Sequence, residues 1–381
     1  MESIERLKLG LLFNFDPQWM GGIIYILNLI KTLNYLDDNE KPFLFLFYKP
    51  ELQKFVDQVN YPFLSTIEYN FPKPYEGYIK SWVTRKNVSI NELVKKFPLD
   101  CLYPLHDYPI KSSSRTKLVS WYADLQHLHY PEFFSRRKRL ERILRIKYIL
   151  KNSYDLVVSS QTVADDFRKF FKIRDGLRLH VFHFVSVVDD LNDLDIVKLR
   201  MKYEIPEKYF MISNQFHKHK NHKVLIDALA KLKNMNHIVH LLMTGRFHDA
   251  SHSSYMMELH NTINEHDLHN QISFLDIIPR NEQLLLMKHA QAVLQPSLFE
   301  GWSTVIEDAI SLQVPVIASS LSVNIEQLGS KGHYFEPYDS AKLAEILLSI
   351  PERNLYDVIY SDYESRIKNA AREFMSIFVD E

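Results

Sequence analysis

Short apolar runs alternate with amphipathic stretches from one end of this chain to the other, and that alternation leaves few folds open. KLGLLFNF (8–15) is followed by IIYILNLIKTLNYL (23–36), whose apolar residues recur at helical spacing. KPFLFLFY, LDCLYPL, KLVSWYA and DLVVSS read as further strands in the first half, and YFMISN, HIVHLLMTG, QISFLD, AVLQPS and VPVIAS in the second. VLIDALAKLKNM, NEQLLLMKHA and STVIEDAISL carry the helical pattern between them. Strands alternating with helices of about ten to fifteen residues build βαβ units and parallel sheets. The strand segments are nearly all apolar, as strands covered by helices on both faces must be.

At 381 residues the chain is longer than a single core commonly serves, about 250–300 residues. The polar stretch SVVDDLNDLD (186–195) parts one series of strands and helices from the next. The expected architecture is α/β, with two doubly wound Rossmann-like domains facing a central cleft. Residues 1–190 form the first domain, 191–360 the second, and 361–381 a helix that returns to pack on the first. Ligands of such sheets bind beyond the carboxyl ends of the strands, so the chemistry is sought in the segments that follow apolar runs.

Composition narrows the class. Apolar residues make up 46% of the chain and charged residues 24%, the balance of an ordinary soluble globular protein. One cysteine, Cys101, excludes an intrachain disulfide and a cysteine metal cluster, and fits a reducing compartment. The start, MESIERLKLGLLFNF, lacks the basic opening and cleavage site of a signal peptide. No apolar run approaches the roughly 18 residues of a spanning helix. The expectation is a cytoplasmic protein, peripheral at the inner face of the membrane at most. A net charge of −1 and the lack of a recognised motif argue against a nucleic-acid partner. That near-neutral total hides an asymmetry. Residues 1–185 carry 28 Lys and Arg against 20 Asp and Glu, and the remainder 18 against 27. A basic half and an acidic half suit domains with different partners, although chance variation in surface charge explains the count as well.

The segment FEGWSTVIEDA (299–309) gathers three carboxylates, a glycine, a tryptophan and two hydroxyls between AVLQPS and VPVIAS. A helix beginning near Ser303 or Thr304, either of which can cap it, offers free N–H groups and a positive dipole end to an anion. Gly301 lets the backbone approach a phosphate without a Cβ in the way. Glu300 precedes the turn, where a carboxylate can bond sugar hydroxyls. Asp308, about one turn into the helix, reaches a second part of a long ligand. Acids near a helix start also stabilise the dipole whatever the function, and that plainer role fits Glu307 and Asp308. The segment resembles the acidic signature, Glu, seven residues, Glu, of GT-B retaining glycosyltransferases of family 4 (glycosyl transferases group 1). Glu300 matches the first acid and Asp308 the second, with Glu307 taking that place if the register differs by one. The resemblance implies that Gly301, Trp302, Ser303 and Thr304 line a donor site, that Glu300 holds the donor sugar, and that Glu307 or Asp308 holds the ribose.

A second stretch, YFMISNQFHKHKNHKVLIDAL (209–229), runs from a strand through a polar loop into a helix. Lys220 sits at that turn, where a lysine neutralises a diphosphate as a point charge. Asn214-Gln215 stands where the family has Gly-Arg, so one of its two phosphate cations is missing from the usual place. Gly245-Arg246, ending another strand, offers a replacement. Arg280 follows the strand where such enzymes place base-contacting backbone, and Glu326 resembles a position further downstream. His217, His219 and His222 crowd the loop, but no carboxylate is spaced to complete a metal site, and no metal is expected.

In the first domain, FNFDPQWMGGIIYI puts Gly21-Gly22 at the first strand-to-helix turn. The resemblance implies a glycine loop beside the donor phosphates or the acceptor, although tight turns use glycine everywhere. The pair is not the GxGxxG of dinucleotide binding. WYADLQHLHYPEFFS (121–135) looks like the family loop that carries a histidine facing the donor sugar. His127 is the choice for that catalytic role and His129 the second, with Asp124 and His129 on the acceptor side. The family commonly has His directly before Asp, where this chain has Ala123. A histidine bonded only to structure is the plainer alternative. SRRKRLERILRIKYILKN (135–152) has an apolar side of Leu140, Ile143, Leu144, Tyr148 and Leu150. Arg136, Arg137, Lys138 and Arg139 at its start oppose the helix dipole. They suit peripheral contact with anionic phospholipid or a lipid-pyrophosphate acceptor, beside the plainer reading of a solvated charged face.

Taken together, the resemblance implies a metal-independent, retaining hexosyltransferase-type enzyme without a cofactor. It would move a sugar from a nucleoside diphosphate sugar, UDP or GDP, to a glycan or lipid-linked acceptor hydroxyl in polysaccharide or glycolipid assembly. His127, Glu300 and Lys220 would carry the reaction. Two alternatives share the architecture: a catalytically silent nucleotide-sugar-binding relative and a non-hydrolysing sugar-nucleotide epimerase.

Overall fold

The computed structural model describes residues 5–71, 83, 87–105, 115–246, 253–355 and 357–379. The chain divides into two compact units, residues 1–185 together with 364–381, and residues 186–363.

The first unit is built on a parallel seven-stranded sheet, β1 (Lys8–Phe13), β2 (Phe43–Tyr48), β3 (Leu64–Glu68), β4 (Cys101–Leu105), β5 (Lys117–Tyr122), β6 (Asp155–Val158) and β7 (Arg178–Val181). The spatial order is β3-β2-β1-β4-β5-β6-β7. Leu9 of β1 pairs with Leu44 on one side and Cys101 on the other. From Leu9 to Phe13 every β1 residue is buried, which is why KLGLLF shows no polar alternation. Beneath the sheet, Leu12, Phe47, Leu102, Val158 and Phe167 share one core. The helix Tyr363–Ser376 closes this unit. Its Phe374 is fully buried, with its ring 5.2 Å from Tyr103 and 5.1 Å from Phe182. On its outer side Lys368 and Arg372 pair with Asp37 and Glu40.

The second unit carries a parallel six-stranded sheet, β8 (Phe210–Ser213), β9 (Leu241–Thr244), β10 (Ile272–Leu275), β11 (Val293–Gln295), β12 (Val316–Ser319) and β13 (His333–Phe335), in the order β10-β9-β8-β11-β12-β13. One face packs on the helices His222–Asn234 and Ser340–Ser349 through Leu225, Leu229, Leu343 and Leu347. The other packs on Arg280–Lys288 and Thr304–Ser311 through Leu286, Met287, Ile306 and Ala309.

The two series of strands run in opposite directions from β1 and from β8, so β1/β4 and β8/β11 are topological switch points where ligands of such sheets bind. At the second, the loops that leave β8 and β11 run side by side, and the Leu298 N–H donates to the His219 carbonyl at 2.7 Å. That topology positions the site.

Candidate functional site

Lys220 and Glu300 lie on those two loops and meet. The Lys220 Nζ stands 2.6 Å from Glu300 Oε1, with the side chains 17% and 10% exposed. Gln295, the last residue of β11, donates from Nε2 to the same oxygen at 2.6 Å, and its Oε1 accepts from Asn214 Nδ2 at 3.1 Å. A polar chain therefore runs from the end of β8 across the end of β11 to the Lys220–Glu300 pair. Asn221 adopts a left-handed turn at φ 56°, and its amide donates to the carbonyls of Pro296 and Pro337, so the β8 loop is pinned before its helix starts. Ser303 caps the helix Thr304–Ser311, accepting from the Ile306 N–H at 3.3 Å.

The acids of that helix are buried and engaged. Asp308 Oδ1 lies 2.5 Å from Arg280 Nη2 and 2.5 Å from Ser186 Oγ. Glu307 Oε1 accepts from Gln327 Nε2 at 2.7 Å, and Gln327 also bonds both the N–H and the carbonyl of Ser303. Arg280 Nη1 continues to Gln283 Oε1 at 3.0 Å, and Gln283 reaches the Ser213 and Thr244 hydroxyls at the ends of β8 and β9. Of this network the sequence pointed to Arg280, Glu307 and Asp308. It missed Ser186, Gln283, Gln295 and Gln327, whose only signal is a polar residue at a strand end or on a helix that faces one.

Gly245 has φ +147°, and a Cβ there would lie 2.2 Å from the Asn214 carbonyl oxygen. Only glycine lets the end of β9 press so closely on the β8 loop. The three loop histidines part company. His217 and His219 stack on each other with centroids 5.5 Å apart, whereas His222 is fully buried against Phe216. Burial, helped by Lys220 and His217, pushes the His222 pKa down to about 3. Among the described residues no group of three or more His, Cys, Asp or Glu is arranged to hold a metal ion.

In the first unit, Gly21 and Gly22 begin the helix Met20–Leu33, and a Cβ on Gly22 would lie 2.7 Å from the Trp19 ring. The pair thus makes room for Trp19, which stacks on Trp121 with centroids 5.9 Å apart. Asp124 accepts from the Gln126 N–H at 3.0 Å and starts the short helix Gln126–His129. His129 Nε2 pairs with Asp166 Oδ2 at 2.7 Å. His127 is 1% exposed, and neither ring nitrogen has a hydrogen-bond partner. Burial and the charge of Arg142 push its pKa down to about 4, so the imidazole is neutral at pH 7.

Comparison with known proteins adds to this geometry. The family described as glycosyl transferases group 1 matches residues 196–374. The O-antigen chain mannosyltransferase RfbU of Salmonella typhimurium is 24% identical over 246 residues, which span 64% of this chain and 63% of that protein. Among solved structures, a glycosyltransferase from Rickettsia africae superposes with a TM-score of 0.65 at 16% identity, covering 98% of both chains. Anabaena HepE in complex with UDP-glucose gives 0.65 at 18% identity, over 97% of this chain and all of that one. At such identities the likeness is one of fold, the two-domain α/β architecture of the GT-B glycosyltransferases. Over residues 196–374 the chain is thus similar to the glycosyl transferases group 1 family.

Proposed function

We propose that the protein is a retaining, metal-independent glycosyltransferase that moves a hexose from a nucleoside diphosphate sugar to an acceptor hydroxyl. The observation that carries this reading is the Lys220–Glu300 pair at the β8/β11 switch point. Both bonds to Glu300 fall on Oε1, from Lys220 and Gln295, which leaves Oε2 for a sugar hydroxyl. Lys220 spends one of its three protons on that carboxylate and keeps two for phosphate oxygens.

Charge develops on the diphosphate as it leaves, and stabilising it is commonly the largest catalytic contribution. Lys220 supplies a cation there, Arg246 a second, and the N-terminal N–H groups of the helices His222–Asn234 and Thr304–Ser311 supply positive dipole ends. Glu307, Asp308 and Arg280 form the nucleoside end of the reading. Asp124 and His129 form its acceptor side, and His127, whose neutral imidazole can give or take a hydrogen bond, keeps the catalytic role beside them. The name of the Salmonella relative supports a hexose and a role in polysaccharide assembly, and the UDP-glucose held by HepE supports a nucleoside diphosphate sugar, of UDP or GDP, as the donor. Arg136, Arg137, Lys138 and Arg139 are the surface for contact with anionic lipid.

Proton NMR of the protein with a panel of nucleotide sugars and an oligosaccharide-lipid extract tests the reading. Transfer with the donor's anomeric configuration kept is the expected result. Inversion at the anomeric carbon would overturn the retaining mechanism. Equilibration of the nucleotide sugar with its epimer, without transfer, would replace a transferase with an epimerase.

A further inference from the structure

A pocket of about 370 Å³ opens in the first unit beside the start of the helix Arg136–Asn152, lined by His127, Leu128, Pro131, Arg136, Arg139, Leu140 and Ile143. Its volume lies within the range of small-molecule sites, about 300–1,000 Å³. Its chemistry is divided. Arg136 and Arg139 are cationic, and no carboxylate lines it. Leu128, Pro131, Leu140 and Ile143 are apolar, and Leu140 is 58% exposed. Leu144, one helical turn beyond Leu140, is 55% exposed and continues the same face.

Two features show that helix stability did not select this arrangement. Cations in a first helical turn oppose the dipole, yet four successive basic residues stand there behind a Ser135 cap. A buried imidazole with no partner for either nitrogen is costly, yet His127 lines the pocket in that state, and the buried Nε of Arg139 is likewise unpartnered. A ligand bringing oxygen acceptors would satisfy both.

We propose that this pocket binds the phosphate end of an anionic amphiphile, a phosphate or diphosphate esterified to an aliphatic chain. Arg136 and Arg139 clamp the phosphate oxygens, as paired guanidinium groups do in fixed fork geometry. His127 bonds a further oxygen from the pocket wall. The chain lies along Leu140, Ile143 and Leu144. In the reaction proposed above such a ligand is the lipid-linked acceptor. That name rests on the glycosyltransferase reading, whereas the binding itself stands without it.

Calorimetric titration with pyrophosphate and with farnesyl diphosphate, on the full chain, tests the site. Variants Arg136→Ala/Arg139→Ala, Leu140→Asp and Lys220→Ala are titrated alongside, with circular dichroism to show that each is folded. Farnesyl diphosphate is expected to bind at least tenfold more tightly than pyrophosphate. The double arginine variant should weaken it tenfold or more, Leu140→Asp should remove most of its advantage over pyrophosphate, and Lys220→Ala should leave it unchanged. Equal affinity for the two probes would make this a plain anion site and overturn the proposal. So would binding that survives loss of both arginines, binding lost instead with Lys220, or no binding of either probe. A donor site that failed every nucleotide test would leave these outcomes untouched.

Discussion

Arg280 Nη2 stands 2.5 Å from Asp308 Oδ1, and the two partners are unequally placed, Asp308 being 2% exposed and Arg280 38%. The carboxylate is thus committed inside the unit, while the guanidinium keeps a solvent-facing side. Removing the arginine strands a buried charge with Ser186 as its remaining partner. Removing the acid leaves a cation that water can still reach. Breaking a buried pair from the stranding side costs about 3–5 kcal/mol. Urea unfolding should therefore show Arg280→Ala losing more stability than Asp308→Asn. In the proposed donor site Arg280 then meets the nucleoside directly and Asp308 acts through it. Arg280→Lys should raise KM for the donor with little change in kcat, since lysine cannot hold both Asp308 and Gln283 in fork geometry.

Gly245 is the position where a single methyl group should do the most. Its φ is +147°, and an added methyl carbon would sit 2.2 Å from the Asn214 carbonyl oxygen, so Gly245→Ala forces the β8 and β9 loops apart. Backbone strain of this kind costs about 1–3 kcal/mol. The melting temperature should fall, and donor KM should rise because Arg246 moves with the loop. An unchanged KM beside a lowered melting temperature would remove Arg246 from the phosphate site.

Acid should destabilise the protein through its buried histidines. His222 is held near a pKa of about 3 and His127 near about 4, both by burial first, against about 6.5 in an unfolded chain. A folded pKa below the unfolded one means that the unfolded chain binds the proton more readily. The stability that neutral histidine provides is present above about pH 6.5 and is lost as the pH falls from there towards the folded values. Each group contributes a slope of up to about 1.4 kcal/mol per pH unit. In His222→Phe, urea midpoints between pH 6.5 and 4.5 should fall less steeply than in the wild type.

The C-terminal helix should be integral to the first unit. Phe374→Ala deletes a fully buried ring wedged among Tyr103, Phe182 and Phe378, and such a change costs about 3–5 kcal/mol. Lys368→Ala, which breaks an exposed pair with Asp37, should cost under about 1 kcal/mol. Chemical denaturation of the two variants separates the contributions.

How much of this was legible in the sequence depends on how local its cause is. The apolar strands β1, β2, β8 and β12 announce themselves because each is covered on both faces, and the doubly wound α/β class follows from their spacing. Strands β3, β7 and β13 did not stand out. LSTIE, RLHV and HYF are short and lie at or next to sheet edges, with half-buried or exposed positions throughout most of their length. At the site, Lys220 and Glu300 were readable because each follows a strand. Their meeting was not, since it depends on β8 and β11 being neighbours although 80 residues separate the pair. Gln295 and Ser186 look like ordinary polar residues until the fold brings their partners to them. The metal question raised by three neighbouring histidines is a lesson in spacing alone, because His222 turns into the core as its helix begins.

The Lys220–Glu300 pair, read as the mark of a nucleoside diphosphate sugar site, is open to one decisive experiment. It is a thermal-shift titration of wild type, Lys220→Ala and Glu300→Ala against UDP, GDP and their sugars. The expected result is a selective rise in melting temperature with one diphosphate and a larger rise with one of its sugars. Lys220→Ala should lose most of both, and Glu300→Ala only the increment due to the sugar. No shift with any nucleotide at millimolar concentration, or shifts that both variants keep in full, would refute that reading of the pair.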